Sequence, residues 1–246
     1  MGTFWGVGVG PGDPELLTLK AARVLAEVDW IFCPAESSSG DASLAQRILS
    51  PLALPTSKFR PIPLCMSRQR GAAQRAYRRA AEAIVAELRQ GRSAAWIAQG
   101  DPLFYSTFSH VRDAVCRLCA DVRIEVVPGV TSVQAAAARA GVPLVRLQES
   151  MAVLPAAYGL ERLPALLASC ATVALLKVNS VFDALLDRLA ELPEPVEIFY
   201  LEKVGTSEER LATDVLSLRG QKLPYFSLVI LRRRRQADEA EMEEEP

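Results

Sequence analysis

Short apolar runs alternate with amphipathic stretches along most of this chain of 246 residues. Continuous or alternating apolar runs are typical of strands, and apolar residues spaced three and four positions apart are typical of helices. The alternation of the two patterns predicts an α/β protein. In the first half, the expected elements are strand 4–9, helix 14–26, strand 30–33, helices 42–49 and 69–89, strand 94–98 and helix 104–118.

The second half begins with a new strand and helix and ends differently. The pattern predicts strands 122–127, 151–154, 172–176, 196–201, 210–214 and 225–231, with helices 132–140, 160–168 and 181–189. The last three strands follow one another without a helix, so antiparallel pairs in a mixed sheet are expected here. We therefore predict two α/β domains, residues 1–120 and 121–235. Residues 232–235 and the acidic tail 236–246 are expected to be solvated and disordered.

Composition and charge exclude several classes of protein. With 50% hydrophobic and 23% charged residues, the chain can bury a core without disulfides or a metal. A net charge of −1 provides no general attraction to nucleic acid. The five cysteines, the absence of a signal peptide at the start, and the lack of a long apolar run predict a soluble cytoplasmic protein with no membrane segment.

A glycine-rich segment, residues 6–12, lies where the first strand ends, and Asp13 follows it. Glycine permits a positive φ and a close approach of the backbone to a ligand. A dinucleotide-binding loop would need a third glycine, which is absent, and an acidic residue where the second strand ends in Cys33-Pro34. We favour a turn that lines another kind of ligand; a generic nucleotide site and a purely structural turn are the alternatives.

The same arrangement of strand, turn and helix recurs twice. Residues 98–107, which include Asp101, follow the strand 94–98, and residues 128–132 follow the strand 122–127. In open α/β sheets, ligands bind outside the carboxyl ends of the strands. Asp101 could also do no more than cap its helix. Three such turns in one chain favour a ligand-binding cleft.

A basic segment without any acidic residue runs from position 58 to position 79. It is either one solvated face or a docking surface for a ligand with several carboxylates, which guanidinium groups bind well. Its members are Lys58, Arg60, Arg68, Arg70, Arg75, Arg78 and Arg79.

The cysteine and histidine pattern does not favour a metal site. Cys116 and Cys119 form an isolated C-x-x-C pair, and His110 is the only histidine. A structural zinc site would need a second pair of ligands. We expect both thiols to lie in the core and His110 to lie on a helix surface.

Three segments, taken in order, resemble the three motifs of the tetrapyrrole methylases. They are residues 6–18, 99–107 and 127–132. The resemblance extends through residues 202–210 and 225–230, so that it covers about residues 3 to 232. Within the family, these later segments and residues 104–108 are most similar to the branch that methylates C-20 of precorrin-2.

This resemblance implies two α/β domains with mixed sheets, S-adenosylmethionine (SAM) bound between them, a trough for a tetrapyrrole substrate, no metal and usually a homodimer. Gly10 and Gly12 would face the tetrapyrrole, and Arg68 and Arg70 would bind its acidic side chains. By motif, the SAM-binding residues would be Pro11, Gln99, Gly100, Asp101, Phe104, Thr131, Ser132, Leu176 and Gly205.

The resemblance does not transfer a catalytic base. Relatives that methylate uroporphyrinogen carry an acidic residue after the second strand, and Pro34 occupies that position here. Positioning of the two reactants can supply most of the rate. Asp13 and Tyr105 are the first candidates for the base that removes the C-20 proton. Asp101 and Glu202 are further candidates. Three alternatives stay open. They are the same methylation step on cobalt-factor II, another corrin-ring methylase, and a non-catalytic nucleotide-binding module.

Overall fold

The structure is a computed structural model that describes residues 1–35, 44–63 and 70–233, with residue 70 described by its backbone alone. The chain divides into two compact units, Met1–Ser132 and Val133–Pro246. Each unit contains one five-stranded sheet with helices. The predicted α/β class is confirmed.

The sheet of the first unit is parallel in all four of its strand pairings. Its order is β3-β2-β4-β1-β5, so β4 and β1 lie inside and β5 forms one edge. The strands are β1 (Thr3–Gly8), β2 (Trp30–Ala35), β3 (Phe59–Pro63), β4 (Ala94–Ala98) and β5 (Arg123–Val127). The helices are α1 (Leu19–Glu27), α2 (Leu44–Ile48), α3 (Arg70–Arg89) and α4 (Phe108–Leu118).

Apolar side chains cover both faces of this sheet. Successive residues of a strand point to opposite faces. Trp96 and Ile97 of β4 accordingly belong to different core clusters, one packed with α3 and α4 and the other with α1 and α2. With both faces covered, the carboxyl edge of the parallel sheet is the place where polar groups can meet a ligand.

Three local differences from the predicted elements occur in the first unit, and the first two have identified physical causes. β3 was not predicted because it contains Pro61 and Pro63; as an edge strand paired only with β2, it tolerates the missing N–H groups. The predicted helix 14–26 is interrupted, because Thr18 caps α1 by accepting the Ala21 N–H at 3.1 Å. The predicted helix 104–118 begins only at Phe108.

The second unit contains the mixed sheet that the strand order predicts. Its order is β6-β7-β10-β8-β9, in which β6 and β7 are parallel and the other pairs are antiparallel. The strands are β6 (Met151–Pro155), β7 (Thr172–Leu176), β8 (Val196–Glu202), β9 (Arg210–Ala212) and β10 (Ser227–Arg233). The helices are α5 (Ser132–Ala140), α6 (Leu163–Ser169) and α7 (Phe182–Ala190).

The division between the units differs from the predicted boundary after residue 120. β5 pairs with β1, with Val127 opposite Val7, and therefore belongs to the first sheet. The units divide after Ser132, where α5 begins. Sequence patterns locate strands but do not show which neighbour each strand pairs with.

The prediction of a solvated basic end is wrong at Arg232. This residue lies on β10, is 6% exposed and forms an ion pair with Glu149. Residues 234–246, which include the predicted acidic tail, lie outside the described residues.

The prediction of core thiols is wrong at Cys116, which is exposed. Cys119 is half-buried and packs against the core cluster that contains residues of α3 and α4. Cys33 is buried, and this burial raises the pKa of its thiol to about 11. The Cys33 thiol is therefore not a nucleophile near neutral pH. His110 is exposed on α4, as expected, and stacks on Tyr77.

Within the described ranges, every helix is too short or too polar to cross a lipid bilayer.

Candidate functional site

The three predicted turns meet at the carboxyl edge of the parallel sheet. They follow β1, β4 and β5, which are neighbours in the order β4-β1-β5. The Val9 N–H donates to the Ala98 carbonyl at 3.0 Å. Gly10 and Gly100 exchange two backbone hydrogen bonds, with N to O distances of 2.7 and 3.4 Å. We call residues 8–13, 98–105 and 127–132 the three-turn cluster.

At two positions of this cluster, glycine is required because no space is left for a side chain, and not because the backbone has a positive φ. A Cβ atom on Gly8 would lie 2.6 Å from the Gly100 carbonyl oxygen, and one on Gly129 would lie 2.2 Å from the same oxygen. Gly100 itself has a φ of +71°, which side chains rarely adopt. The three turns therefore pack backbone against backbone, which any larger residue at position 8 or 129 would prevent.

Asp101 joins two of the turns. One of its carboxylate oxygens accepts the Leu103 N–H at 2.8 Å, and the other accepts the Gly129 N–H at 3.0 Å. Because α4 begins only at Phe108, Asp101 is not its cap. Gln99 acts similarly, since its side-chain amide donates to the Pro11 carbonyl at 2.7 Å. These predicted SAM-binding residues thus hold the cluster together through their own side chains.

The cluster presents aromatic and hydroxyl groups at its surface. Phe104 is half-buried, Tyr105 is exposed, and their rings meet edge to face at 5.1 Å. Tyr105 has a φ of +52°, which costs a residue with a side chain about 1 kcal/mol, and strained residues of this kind cluster at functional sites. Thr131 and Ser132 are half-buried where α5 begins.

The candidate bases lie on neighbouring turns. Asp13 follows β1 and accepts the Glu15 N–H at 2.8 Å, and Tyr105 follows β4. Gly10 and Gly12, which were expected to face the tetrapyrrole, are both buried in the first turn. The catalytic and substrate-binding roles of these four residues stay predictions.

In the second unit, Leu176 and Gly205 lie at the same end of the mixed sheet. Leu176 ends β7 and Gly205 follows β8, and β10 is antiparallel to both strands and lies between them. Lys177 and Lys203 have φ values of +59° and +48°. Their N–H groups donate at 2.8 Å to the carbonyls of residues 227 and 226, at the start of β10.

The same end carries a cation and exposed aromatic rings that the sequence analysis did not assign to the site. The Lys177 ammonium lies 5.2 Å from the centre of the Tyr225 ring. Tyr225 and Phe226 are both exposed and meet edge to face at 5.3 Å. The sequence signal that could have identified Lys177 is its position directly after Leu176, which is a predicted SAM-binding residue.

Two carboxylates near this end are already engaged. Glu202 accepts a hydrogen bond from the Tyr200 hydroxyl, and burial together with that carboxylate raises the pKa of Tyr200 far above its usual range. Glu209 accepts the Gly205 N–H at 2.6 Å and forms an ion pair with Arg139 of α5. A carboxylate can accept several hydrogen bonds, so the contact with Tyr200 leaves the role of Glu202 as a base a prediction.

The first members of the basic segment have structural contacts. Lys58 donates to the Ala26 carbonyl at 2.6 Å, and the Arg60 guanidinium stacks 3.6 Å from the centre of the Trp30 ring. These contacts give the two residues structural roles in the first unit, and their part in a docking surface stays a prediction.

The remaining described members of the segment lie on α3. Arg75, Arg78 and Arg79 are exposed, and Arg78 pairs with Glu82 one turn away. These observations favour the interpretation of this part of the basic segment as a solvated face. Arg68 and the side chain of Arg70 lie outside the described residues, so their role toward the substrate stays a prediction.

Among residues 1–35, 44–63 and 70–233, no group of three or more His, Cys, Asp or Glu side chains could hold a metal ion. The expectation that no metal is needed stays a prediction.

Comparison with families and curated proteins gives one consistent result. The family model described as tetrapyrrole (corrin/porphyrin) methylases matches residues 3–218. The cobalamin biosynthesis protein CobIJ of Mycobacterium bovis is 35% identical over 94% of this chain and 46% of its own length. The chain thus spans about half the length of the first curated relatives that it matches.

Two shorter relatives match along nearly their whole length. Precorrin-2 C(20)-methyltransferase of a Sinorhizobium species is 31% identical, over 94% of this chain and 95% of that protein. Cobalt-precorrin-2 C(20)-methyltransferase of Salmonella typhimurium is 28% identical, over 94% of this chain and 96% of that protein.

Solved structures have the same fold. Uroporphyrin-III C-methyltransferase of Thermus thermophilus complexed with S-adenyl homocysteine has a TM-score of 0.66 at 25% identity, over 94% of this chain and 97% of that one. A cobalamin synthesis related protein (CobF) of Corynebacterium diphtheriae has a TM-score of 0.72, over 95% of this chain and 99% of that one; at 20% identity it supports the fold alone.

Proposed function

Because the chain belongs to the tetrapyrrole (corrin/porphyrin) methylase family, we propose that it transfers the methyl group of SAM to C-20 of precorrin-2, in the biosynthesis of cobalamin. The observation that carries the proposal is the match to a precorrin-2 C(20)-methyltransferase over 94% of this chain and 95% of that protein.

The residues of the three-turn cluster fit a SAM-binding role. Half-buried hydroxyls at Thr131 and Ser132 can pair with polar groups of the ligand, and Phe104 offers an aromatic face. Gly100 is buried, and a Cβ added to it would be in ordinary contact with Val130 and Thr131, so the turn around Gly100 packs directly beside the hydroxyl-bearing turn. We assign SAM binding to the cluster residues Pro11, Gln99, Gly100, Asp101, Phe104, Thr131 and Ser132, and also to Leu176 and Gly205. A solved relative of this fold holds S-adenyl homocysteine, which is the product left after methyl transfer.

The chemistry requires positioning more than activation. SAM supplies an electrophilic methyl group with its own leaving group. The electron pair of C-20 forms the new bond, the bond from sulfur to the methyl carbon breaks with its electrons left on sulfur, and C-20 then loses a proton. The chain must hold the carbon in line with the methyl group and accept that proton. Asp13 and Tyr105 are the proposed acceptors.

Lys177 is a candidate for binding an acidic side chain of the tetrapyrrole. An ammonium held over an exposed aromatic ring keeps its charge in a fixed place, where a carboxylate can pair with it. We expect Lys177→Met to raise the KM for the tetrapyrrole about tenfold, because the variant loses one charge-assisted contact. The KM for SAM is expected to stay within about twofold. Steady-state kinetics with each substrate varied in turn measures both, and equal increases would contradict this role.

The activity itself can be tested directly. The purified chain is incubated anaerobically with SAM and with metal-free precorrin-2 or cobalt-factor II, and the tetrapyrroles are analysed by mass spectrometry. We expect one methyl group to be added to metal-free precorrin-2. Addition only to cobalt-factor II would assign the cobalt-dependent branch, which the relative from Salmonella typhimurium supports.

The remaining alternatives are separated when the assay is extended to later corrin intermediates and combined with a measurement of SAM binding. No addition to either tetrapyrrole would overturn the C-20 assignment and favour another corrin-ring methylase. SAM binding without turnover on any corrin intermediate would favour a non-catalytic nucleotide-binding module.

We also propose that the protein is a cytoplasmic homodimer, as the family resemblance implies, that it acts on a small tetrapyrrole, and that it needs neither nucleic acid nor a membrane. Light scattering coupled to gel filtration is expected to give twice the chain mass of 26.8 kDa. A mass of one chain would contradict the dimer.

A further inference from the structure

The segment between β8 and β9 is folded back on itself by its own hydrogen bonds. The Thr206 hydroxyl and N–H donate to the Lys203 carbonyl at 2.8 and 3.0 Å, and the Glu209 N–H donates to the Thr206 carbonyl at 3.1 Å. These contacts return the Glu209 carboxylate to the start of the segment, where it accepts the Gly205 N–H at 2.6 Å. We call residues 203–209 the Gly205 turn.

Glu209 is a nearly buried carboxylate with two charge-assisted contacts. Its side chain is 10% exposed, and its partner Arg139 on α5 is 67% exposed. A buried carboxylate is stable only when its oxygens are paired, so the Gly205 N–H and the guanidinium both stabilise it where it lies. In return, Glu209 restrains Gly205, which has a φ of +79° and no side chain to hold it.

The ion pair also joins the Gly205 turn to α5. Arg139 lies near the end of that helix, and Ser132 is its first residue. Gly205 and Ser132 are both among the proposed SAM-binding residues. A single carboxylate therefore connects the Gly205 turn to α5 within the second unit.

We infer that Glu209, together with Arg139, is a positioning residue that holds the Gly205 turn in the conformation that binds SAM. This inference rests on the proposed function, because it takes SAM as the ligand of that turn. It predicts that the hydrogen-bond acceptor at position 209 determines the affinity for SAM and leaves the chemical step unchanged.

The decisive comparison is between two substitutions of nearly equal volume. Glu209→Gln keeps an oxygen that can accept the Gly205 N–H, and Glu209→Met does not. Titration calorimetry with SAM is expected to give a Kd raised about tenfold or more for Glu209→Met and at most about threefold for Glu209→Gln. The kcat at saturating SAM is expected to stay within about twofold for both variants.

A surface ion pair at the end of α7 provides the matched control. Glu191 pairs with Arg188 and is exposed, so Glu191→Met removes an ion pair without touching the Gly205 turn. We expect its Kd for SAM to equal that of the unaltered protein. If Glu209→Met is not recovered folded, Arg139→Met replaces it, with an expected increase in Kd of about threefold.

The inference is overturned if Glu209→Met and Glu209→Gln bind SAM equally well, or if Arg139→Met, used in its place, binds like the unaltered protein. Failure of the proposed function gives a different result. In that case, the unaltered protein binds SAM and the variants bind it more weakly, but no tetrapyrrole gains a methyl group.

Discussion

Gly129→Ala is expected to abolish SAM binding and to lower the free energy of unfolding by about 3 kcal/mol, at the upper end for overpacking a closed site. The added Cβ would lie 2.2 Å from the Gly100 carbonyl oxygen and 3.0 Å from the backbone of Gly8. Both neighbours are backbone atoms of strand ends, so neither can move aside as a flexible side chain would. Separation of the turns would also break the hydrogen bond from the Gly129 N–H to Asp101.

Titration calorimetry with SAM and chemical denaturation measure the two effects. Gly141→Ala is the control, because Gly141 has a φ of +68° but no atom within 4 Å of an added Cβ. It is expected to cost about 1 kcal/mol from backbone strain and to bind SAM normally. If the effects of the two substitutions were the same, close packing of the three turns would not be what position 129 requires.

Arg232→Met is expected to lower the free energy of unfolding by about 3 to 5 kcal/mol, the usual loss when one partner of a buried ion pair is removed. The side chains of Arg232 and Glu149 are 8% and 14% exposed, and two guanidinium hydrogen bonds join them at 2.8 and 3.1 Å. The guanidinium also donates to the Pro143 carbonyl at 2.6 Å and to the Thr172 hydroxyl at 3.0 Å. Removal of the cation leaves the Glu149 charge with much less compensation.

Chemical denaturation measures this loss of unfolding free energy. Two further variants show whether the loss comes from the buried ion pair. Arg219→Met removes a partner from the exposed pair with Asp187 and is expected to cost less than about 1 kcal/mol. Adding Glu149→Gln to Arg232→Met removes the buried Glu149 charge and is expected to recover part of the stability. A loss as small as that of Arg219→Met would contradict a buried charge pair at Arg232.

The patterns that the sequence predicts best are local. Strands β4 and β7 and helix α5 begin and end at the predicted residues, because periodicity over five to nine residues defines them. β3 was missed because its two prolines oppose the usual strand pattern, and only its position at the sheet edge allows them. Its place beside β2 is a property of the whole sheet.

The same distinction between local sequence patterns and tertiary contacts applies to the candidate site. The sequence identified the three turns, because glycine and aspartate after a strand favour turns, and the family motifs supplied the residues proposed to bind SAM. It left open whether Asp101 caps a helix, and the structure shows it bonded to the Gly129 N–H, 28 positions away.

The sequence by itself determined the α/β class, most of the elements and the positions of the three turns. Only the tertiary structure decided that Gly8 and Gly129 must be glycine, that Arg232 is buried, and that Glu209 holds Gly205. The physical reason is distance along the chain. Helix and strand preferences depend on neighbouring residues, whereas close backbone packing and buried ion pairs join residues that only the completed sheets bring into contact.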